Sequence, residues 1–323
     1  MAVSNTLLVG TIGYGVFRSE NDGKDWERSN FTSGLPFGTR VYYLVSHPQK
    51  PEIIFAGTDF GLARSDDGGK RWHVGENALS NFSVWALTID QDEPDVMFAG
   101  TSQGFLFRSM DGGQHWTKCP IDVAEECVNV GVPRTTSVTI DPTNKNNIWM
   151  SIEVDGIRRS VDRGDTWTRV DVKNTDGHDI KISAGEPHTV LILTNSDLYT
   201  STDDGENWKS TSSRDSFPYW FCRSMAVQPG HPQNIFMGHG DGAPGSTGML
   251  LRSRDSGDTW DTVPLSPEPN SSMWSIAVHE ADPNLMYANS VFGYIYRSDD
   301  GGENWNKLSR ELSEIRSLIW VPT

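Results

Sequence analysis

The chain reads as all-β: a seven-bladed β-propeller, closed into a ring and forming one domain over residues 1–323. Three observations predict this. An octad of the form Ser-x-Asp-x-Gly-x-x-Trp occurs seven times. Its copies recur at the spacing of one four-stranded blade. The chain opens in the middle of a repeat and closes on a segment that matches the strand missing from that opening.

Six octads are complete, at Ser65/Asp67/Gly69/Trp72, Ser109/Asp111/Gly113/Trp116, Ser160/Asp162/Gly164/Trp167, Ser201/Asp203/Gly205/Trp208, Ser253/Asp255/Gly257/Trp260 and Ser298/Asp300/Gly302/Trp305. The seventh, Ser19/Asn21/Gly23/Trp26, carries Asn in the Asp position. Successive serines are 46, 44, 51, 41, 52 and 45 residues apart. The chemistry is that of a turn: the carboxylate accepts bonds from turn amides, the Gly takes a positive φ, and the Trp packs within its own blade. Asn21 can still accept. A catalytic or calcium-binding role for these carboxylates is the weaker reading.

On these octads the sequence resembles the Asp-box (BNR) propellers, which include sialidases, xyloglucan-active glycosidases, sortilin-type receptor domains and photosystem assembly factors. The resemblance covers nearly the whole chain. It implies architecture and not chemistry, because one scaffold serves enzymes and pure binders.

Each unit reads strand, turn, strand, turn, strand, box, strand, as over residues 41–46, 53–57, 62–65 and 72–74. Further innermost strands are expected at 84–89, 136–140, 180–184, 223–227 and 274–278. Residues 6–26 begin with the second strand of a blade, so residues 315–322 should supply its first. Splitting one blade across the termini removes two exposed sheet edges.

Composition agrees. Charged residues are 22% of the chain, with 31 Gly and 17 Pro, as suits many turns. A net charge of −16 repels nucleic acid and anionic membrane alike, so neither is expected as a partner. No stretch is apolar enough for a membrane helix, and the N-terminus lacks a secretory pattern. With three cysteines, an odd number, the expectation is reduced thiols and a cytoplasmic protein, unless a signal segment was removed.

If the innermost strand runs from top to bottom, every box lies on the bottom face. So do the turns carrying His47, His188, His231 and His279, which read, with His115, as solvated turn residues. The top face holds the turns between second and third strands and the connections between blades. Aligning the innermost strands on Leu44, Leu87, Val138, Ile182, Met225, Ile276 and Leu318 puts Tyr42, Trp85, Thr136, Ile180, Arg223, Trp274 and Arg316 at one height near the channel mouth. One step higher come Arg40, Ser83, Arg134, His178, Phe221, Ser272 and Glu314.

Arginine forks beside aromatic faces suit a small carboxylate-bearing, sugar-like or aromatic ligand, bound by Arg40, Tyr42, Trp85, Arg134, Arg223, Trp274 and Arg316. The alternative is inter-blade packing with Arg–Glu pairs. Candidate acids and bases on this face are His178, Glu153 and Asp155, with His239 and Asp241 in the glycine-rich insertion 238–248; Asp59 and Asp197 also lie there. That insertion has the glycines to swing polar groups over the channel. It is no phosphate loop, since the Lys-Ser/Thr ending and the strand-to-helix context are absent. The connection 118–133, with Cys119, Cys127, Glu125 and Glu126, is a candidate lid, and its thiols read as inert. No cofactor or metal is expected, although His178, His239, Glu153 and Asp241 could converge.

Two functions follow. One is a hydrolase or lyase acting on a small anionic molecule, with a carboxylate or His as proton shuttle. The other is a non-catalytic scaffold for a protein or glycan partner. A typical sialidase is disfavoured, because six blades and a Phe/Tyr-Arg-Ile-Pro signature are both missing.

Overall fold

The computed structural model describes residues 3–29, 31–128 and 130–323. Among them the chain folds into seven four-stranded antiparallel sheets. Blades 2 to 7 are each continuous in sequence. Their innermost strands are Val41–His47, Val84–Ile89, Thr135–Ile140, Gly177–Ser183, Phe221–Gln228 and Met273–Ala277. Blade 1 is composite: Asn5–Thr11, Gly15–Ser19 and Glu27–Arg28 are its outer three strands, and Ile315–Pro322 is its innermost. Leu7 stands opposite Trp320 and Val9 opposite Leu318 in that join, which ends with the Thr323 amide donating to the Ser4 carbonyl at 2.9 Å. No helix among the described residues is long and apolar enough to cross a membrane.

The box turns follow one hydrogen-bond scheme. In blade 3, Ser109 Oγ accepts from the Gly113 amide at 2.9 Å, Asp111 Oδ1 accepts from the His115 amide at 2.9 Å, and Trp116 Nε1 donates to the Gly113 carbonyl at 3.0 Å. Bonds to an ionised carboxylate favour the charged form. They hold Asp111 at about 2, chiefly through the His115 amide, and Asp162 and Asp203 at about 2, chiefly through the side chains of Thr166 and Asn207.

The seventh box has its polarity reversed. In the six Asp boxes the residue four positions on is a side-chain donor to the second carboxylate oxygen: Arg71, His115, Thr166, Asn207, Thr259 or Asn304. At Asn21 that residue is Asp25, which accepts from Asn21 Nδ2 at 2.9 Å while its own amide donates to Asn21 Oδ1. Donor and acceptor have changed places, and the turn keeps both bonds.

The boxes join blades. Gly302 has φ +84, and a Cβ there would lie 2.3 Å from Phe236 of the preceding blade, so only glycine admits the close approach. Trp116 packs in a cluster that combines Phe55 and Leu62 of blade 2 with Met97 and Phe107 of its own blade. The expectation of packing within one blade is therefore corrected: the apolar surface of a twisted sheet is buried against its neighbour, and the Trp fills that gap.

Candidate functional site

Each innermost strand breaks register at the same place near its upper end, and those of blades 2 and 6 break it a second time near the lower end. Pairing skips Tyr42, Trp85, Thr136, His178, Arg223, Trp274 and Arg316, each left without an opposite residue on the second strand. A bulge bends the strand and re-aims the extra side chain. Seven bulges at one level give a ring of side chains directed at the axis. Six of the seven, all but Tyr42, line both the mouth cavity, about 420 Å³, and the channel cavity below it, about 440 Å³. They form the waist between the two.

The sequence alignment finds six members of this ring and misplaces the seventh. Ile180, expected there, is buried in the core beside Trp149 and Ile192, and His178 holds the bulge. The slip is two residues, the period of a strand, so the apolar pattern alone cannot detect it. It also hides Asp176, which occupies the tier above, where His178 was expected. Box spacing distinguishes the registers: the ring residue precedes the box serine by 23 or 24 positions in blades 2, 3, 4 and 7, and in blade 5 only His178 does so.

The mouth brings together Trp85, Arg134, Glu153, His178, Arg223, Trp274 and Arg316 from the expected set, with Asp176, Phe221, Phe292 and Glu314. Arg134 makes a two-pronged pair with Glu153, both contacts 2.5 Å, and its guanidinium carbon lies 4.6 Å from the Trp85 ring centroid. Arg316 is paired with Glu314 through Nε at 2.6 Å and lies 4.3 Å over Trp274. Arg223 differs. It donates to the His178 carbonyl at 3.3 Å and lies 4.5 Å over Trp274, and no carboxylate within ion-pair reach is found for it among the described residues. Burial, then the charge of Arg316, pushes its guanidinium down to about 10, still cationic at neutral pH.

His178 is neutral. Nδ1 lies 2.6 Å from the Cys222 carbonyl, to which it must donate, leaving Nε2 as an acceptor. Burial, then Arg223, lowers the ring to about 3. It is therefore no ion-pair partner for Asp176, whose Oδ1 lies 3.9 Å from Nε2. Burial raises the Asp176 carboxyl above the ordinary range, and Glu153 adds to the shift. The turn carrying Glu153 is unusual at Val154, a β-branched residue with φ +64, a conformation such side chains rarely adopt.

Five expected site residues lie elsewhere. His239 is fully buried within a strand, its Nε2 3.5 Å from Cys222 Sγ and its ring edge-on to Phe217. It belongs to the hairpin's rigid arm and not to the turn above the channel. Asp241 caps its own turn, accepting from the Ser246 amide at 2.7 Å and from Ser246 Oγ. The insertion does reach the mouth, but with the backbone-rich pair Ala243-Pro244, held by the Ser272 amide on the Pro244 carbonyl. Asp155 turns away from the mouth to pair with Arg158 at 2.9 Å and accepts from the Ala124 amide, tying the connection 118–133 to blade 4, the blade it was expected to cover. Arg40 is exposed outside the cavity, and Tyr42 lines only the channel below, stacked on Trp85 with centroids 3.9 Å apart.

On the opposite face His188 is no solvated turn residue: it bridges Asp141 at 3.3 Å and Asp204 at 3.2 Å, joining blades 4 and 5. The ligand atoms of these three side chains lie within 4.8 Å of one another, close enough to hold a metal ion. Asp141 is already committed, however, through Oδ1, to the Thr143 and Asn144 amides.

A family model described as sortilin, neurotensin receptor 3, matches residues 197–320, and one described as photosynthesis system II assembly factor YCF48 matches residues 75–217. Xyloglucanase Xgh74A of Acetivibrio thermocellus is 22% identical over 82% of this chain, which spans only 38% of that relative's length. Photosystem II assembly lipoprotein Ycf48 of Synechococcus sp. (strain CC9902) is 23% identical, over 83% of this chain and 89% of its own. A solved structure of YCF48 bound to D1 peptide matches with a TM-score of 0.57 at 16% identity, over 83% of this chain and 81% of that one. The likeness is one of fold. Relatives of this architecture bear the names of enzymes and of assembly factors alike.

Proposed function

The chain is an Asp-box seven-bladed propeller, and from that premise we propose that it is a hydrolase or lyase acting on a small carboxylate-bearing ring compound at the channel mouth. One observation carries this reading: the Arg223 guanidinium, lacking a carboxylate while its neighbours Arg134 and Arg316 each have one. A half-buried cation with no carboxylate in contact, only the longer-range charges of Asp179 and Glu153, is costly to maintain, and a ligand anion would supply a direct partner through charge-assisted bonds. Phe292, an exposed ring that lines the mouth, offers a face for a flat or sugar-like body. A cavity of about 420 Å³ is of small-molecule size. Cys119 and Cys222, buried in different inter-blade cores, support a cytoplasmic setting as part of the same proposal.

A second reading is a protein-binding scaffold, favoured by the assembly factor Ycf48 matching over nearly its full length where the xyloglucanase matches over two fifths. The terminal carboxylate of a peptide would meet Arg223 by the same chemistry. Calorimetric titration separates the possibilities. Benzoate and glucuronate should bind where benzyl alcohol and glucose do not, and Arg223→Ala should weaken that binding about 30-fold. Binding by the neutral compounds equally well, or by none of the four, would defeat the small-anion reading; capture of peptides with a free C-terminus but not of their amides would favour the scaffold.

A further inference from the structure

Among the described residues Asp176 is the one carboxylate of the mouth outside an arginine pair: Glu153 is held by Arg134 and Glu314 by Arg316. Its Oδ2 accepts from Asn195 Nδ2 at 2.9 Å, which fixes the plane of the group. Its Oδ1 is shielded from solvent and has no hydrogen-bond partner. The nearest basic atom is His178 Nε2, 3.9 Å away, and that atom is a lone-pair acceptor because Nδ1–H is used on the Cys222 carbonyl. Two acceptors 3.9 Å apart, in a place water barely reaches, repel unless a proton is held between them.

We propose that Asp176 carries the exchangeable proton of the mouth, giving it from its carboxyl group, which lines the cavity, to an oxygen of the bound ligand and taking it back, with neutral His178 as the acceptor that orients it. This rests on the small-molecule reading of the site. The step is a proton transfer alone: the O–H bond at Asp176 breaks, an O–H bond to the ligand forms, and the carboxylate left behind keeps its Asn195 bond and gains the nearby Arg223 charge. The environment is graded for the task. Burial and the Glu153 charge hold the proton on, while the Val154 amide, Asn195 and Arg223 favour its release. His178 cannot substitute as the proton carrier, since Arg223 and Arg134 both bear on a ring that is already buried. A general acid useful near neutral pH needs this balance. Neither the octads nor the charge pattern singles out Asp176, which reads in sequence as one acid of a polar connection.

The test uses the intact chain without ligand. Carbon-13 titration of labelled aspartate side chains, with the Asp176 signal identified by its loss in Asp176→Asn, should give Asp176 a midpoint above the ordinary aspartate value of about 3.9. Nitrogen-15 shifts should show His178 with Nε2 unprotonated through the neutral range. Benzoate or glucuronate should raise the Asp176 midpoint further by adding a negative charge beside it. An Asp176 midpoint in or below the ordinary range overturns the proposal, as does a His178 ring that becomes cationic near neutral pH. A raised midpoint that neither anion moves supports the proton on Asp176 and overturns the anionic ligand instead, so the two readings fail separately.

Discussion

The guanidinium carbon of Arg223 lies 4.5 Å from the ring centroid of Trp274, and that of Arg316 approaches the same ring at 4.3 Å. One indole therefore serves two cations, and only Arg316 has a carboxylate of its own. Attraction to the ring is worth ~1 kcal/mol per cation, too little to offset two like charges held together out of water. Removing Arg223 should relieve that repulsion. Arg223→Ala is expected to keep or raise the thermal midpoint while weakening binding of a carboxylate ligand by ~2 kcal/mol, about 30-fold. Calorimetric titration and a melting curve on one sample measure both; a lowered midpoint with unchanged affinity would make Arg223 a packing residue.

Trp116 fills the gap between blades 2 and 3, so its loss should be felt by the fold and not by the mouth. Trp116→Ala is expected to cost ~3–5 kcal/mol, the range for emptying a large core site. Denaturant unfolding gives the number. An effect below ~1 kcal/mol would mean that the inter-blade gap collapses freely around the missing ring.

Sequence reasoning reached the architecture because its signals repeat: seven octads vote for one period, and an error in one blade is outvoted by six. The site had no such redundancy. Blade 5 slipped by two residues, a shift that keeps apolar faces inward, and so exchanged Ile180 for His178 and concealed Asp176. His239 and Asp241 depart from the sequence expectation for another reason. Composition marked the insertion as irregular, but which of its residues face the channel depends on where the hairpin ends, and it ends at Gly240, leaving His239 inside the paired strand.

Acid should loosen the ring at its boxes. The carboxyls of Asp111, Asp162 and Asp203 are depressed in the fold to about 2 from an unfolded value near ~3.9, so the stability they lend is complete above the unfolded value and is lost as pH falls through the folded one. The melting midpoint should hold steady down to about pH 4 and drop between there and about pH 2. Replacing Asp162 by Asn should flatten the drop in that window; an unchanged acid profile in the variant would remove the box carboxylates as its cause.

The reversed box offers the sharpest check on how these turns work. A family-minded repair would change Asn21 to Asp, restoring the common octad. Physical reasoning predicts the opposite of a repair, because the residue four positions on is Asp25, whose Oδ2 accepts from Asn21 Nδ2. Asn21→Asp removes that donor and sets two carboxylates against one another in the same turn, which should destabilise by ~0.5–1 kcal/mol, the scale of an exposed charge pair with its sign reversed. Asp25→Asn leaves two amides, and either can still donate to the other, so its cost should be smaller. The double variant recreates the arrangement seen at Asp203 and Asn207 and should return to the stability of the parent. A double-mutant cycle in urea reads the coupling directly, and it should be favourable for the double variant and shrink in high salt as screening weakens the carboxylate repulsion. Additive effects of the two substitutions, or a stabilised Asn21→Asp, would show that the pair is not exchanging roles and that the Asn is tolerated for some other reason.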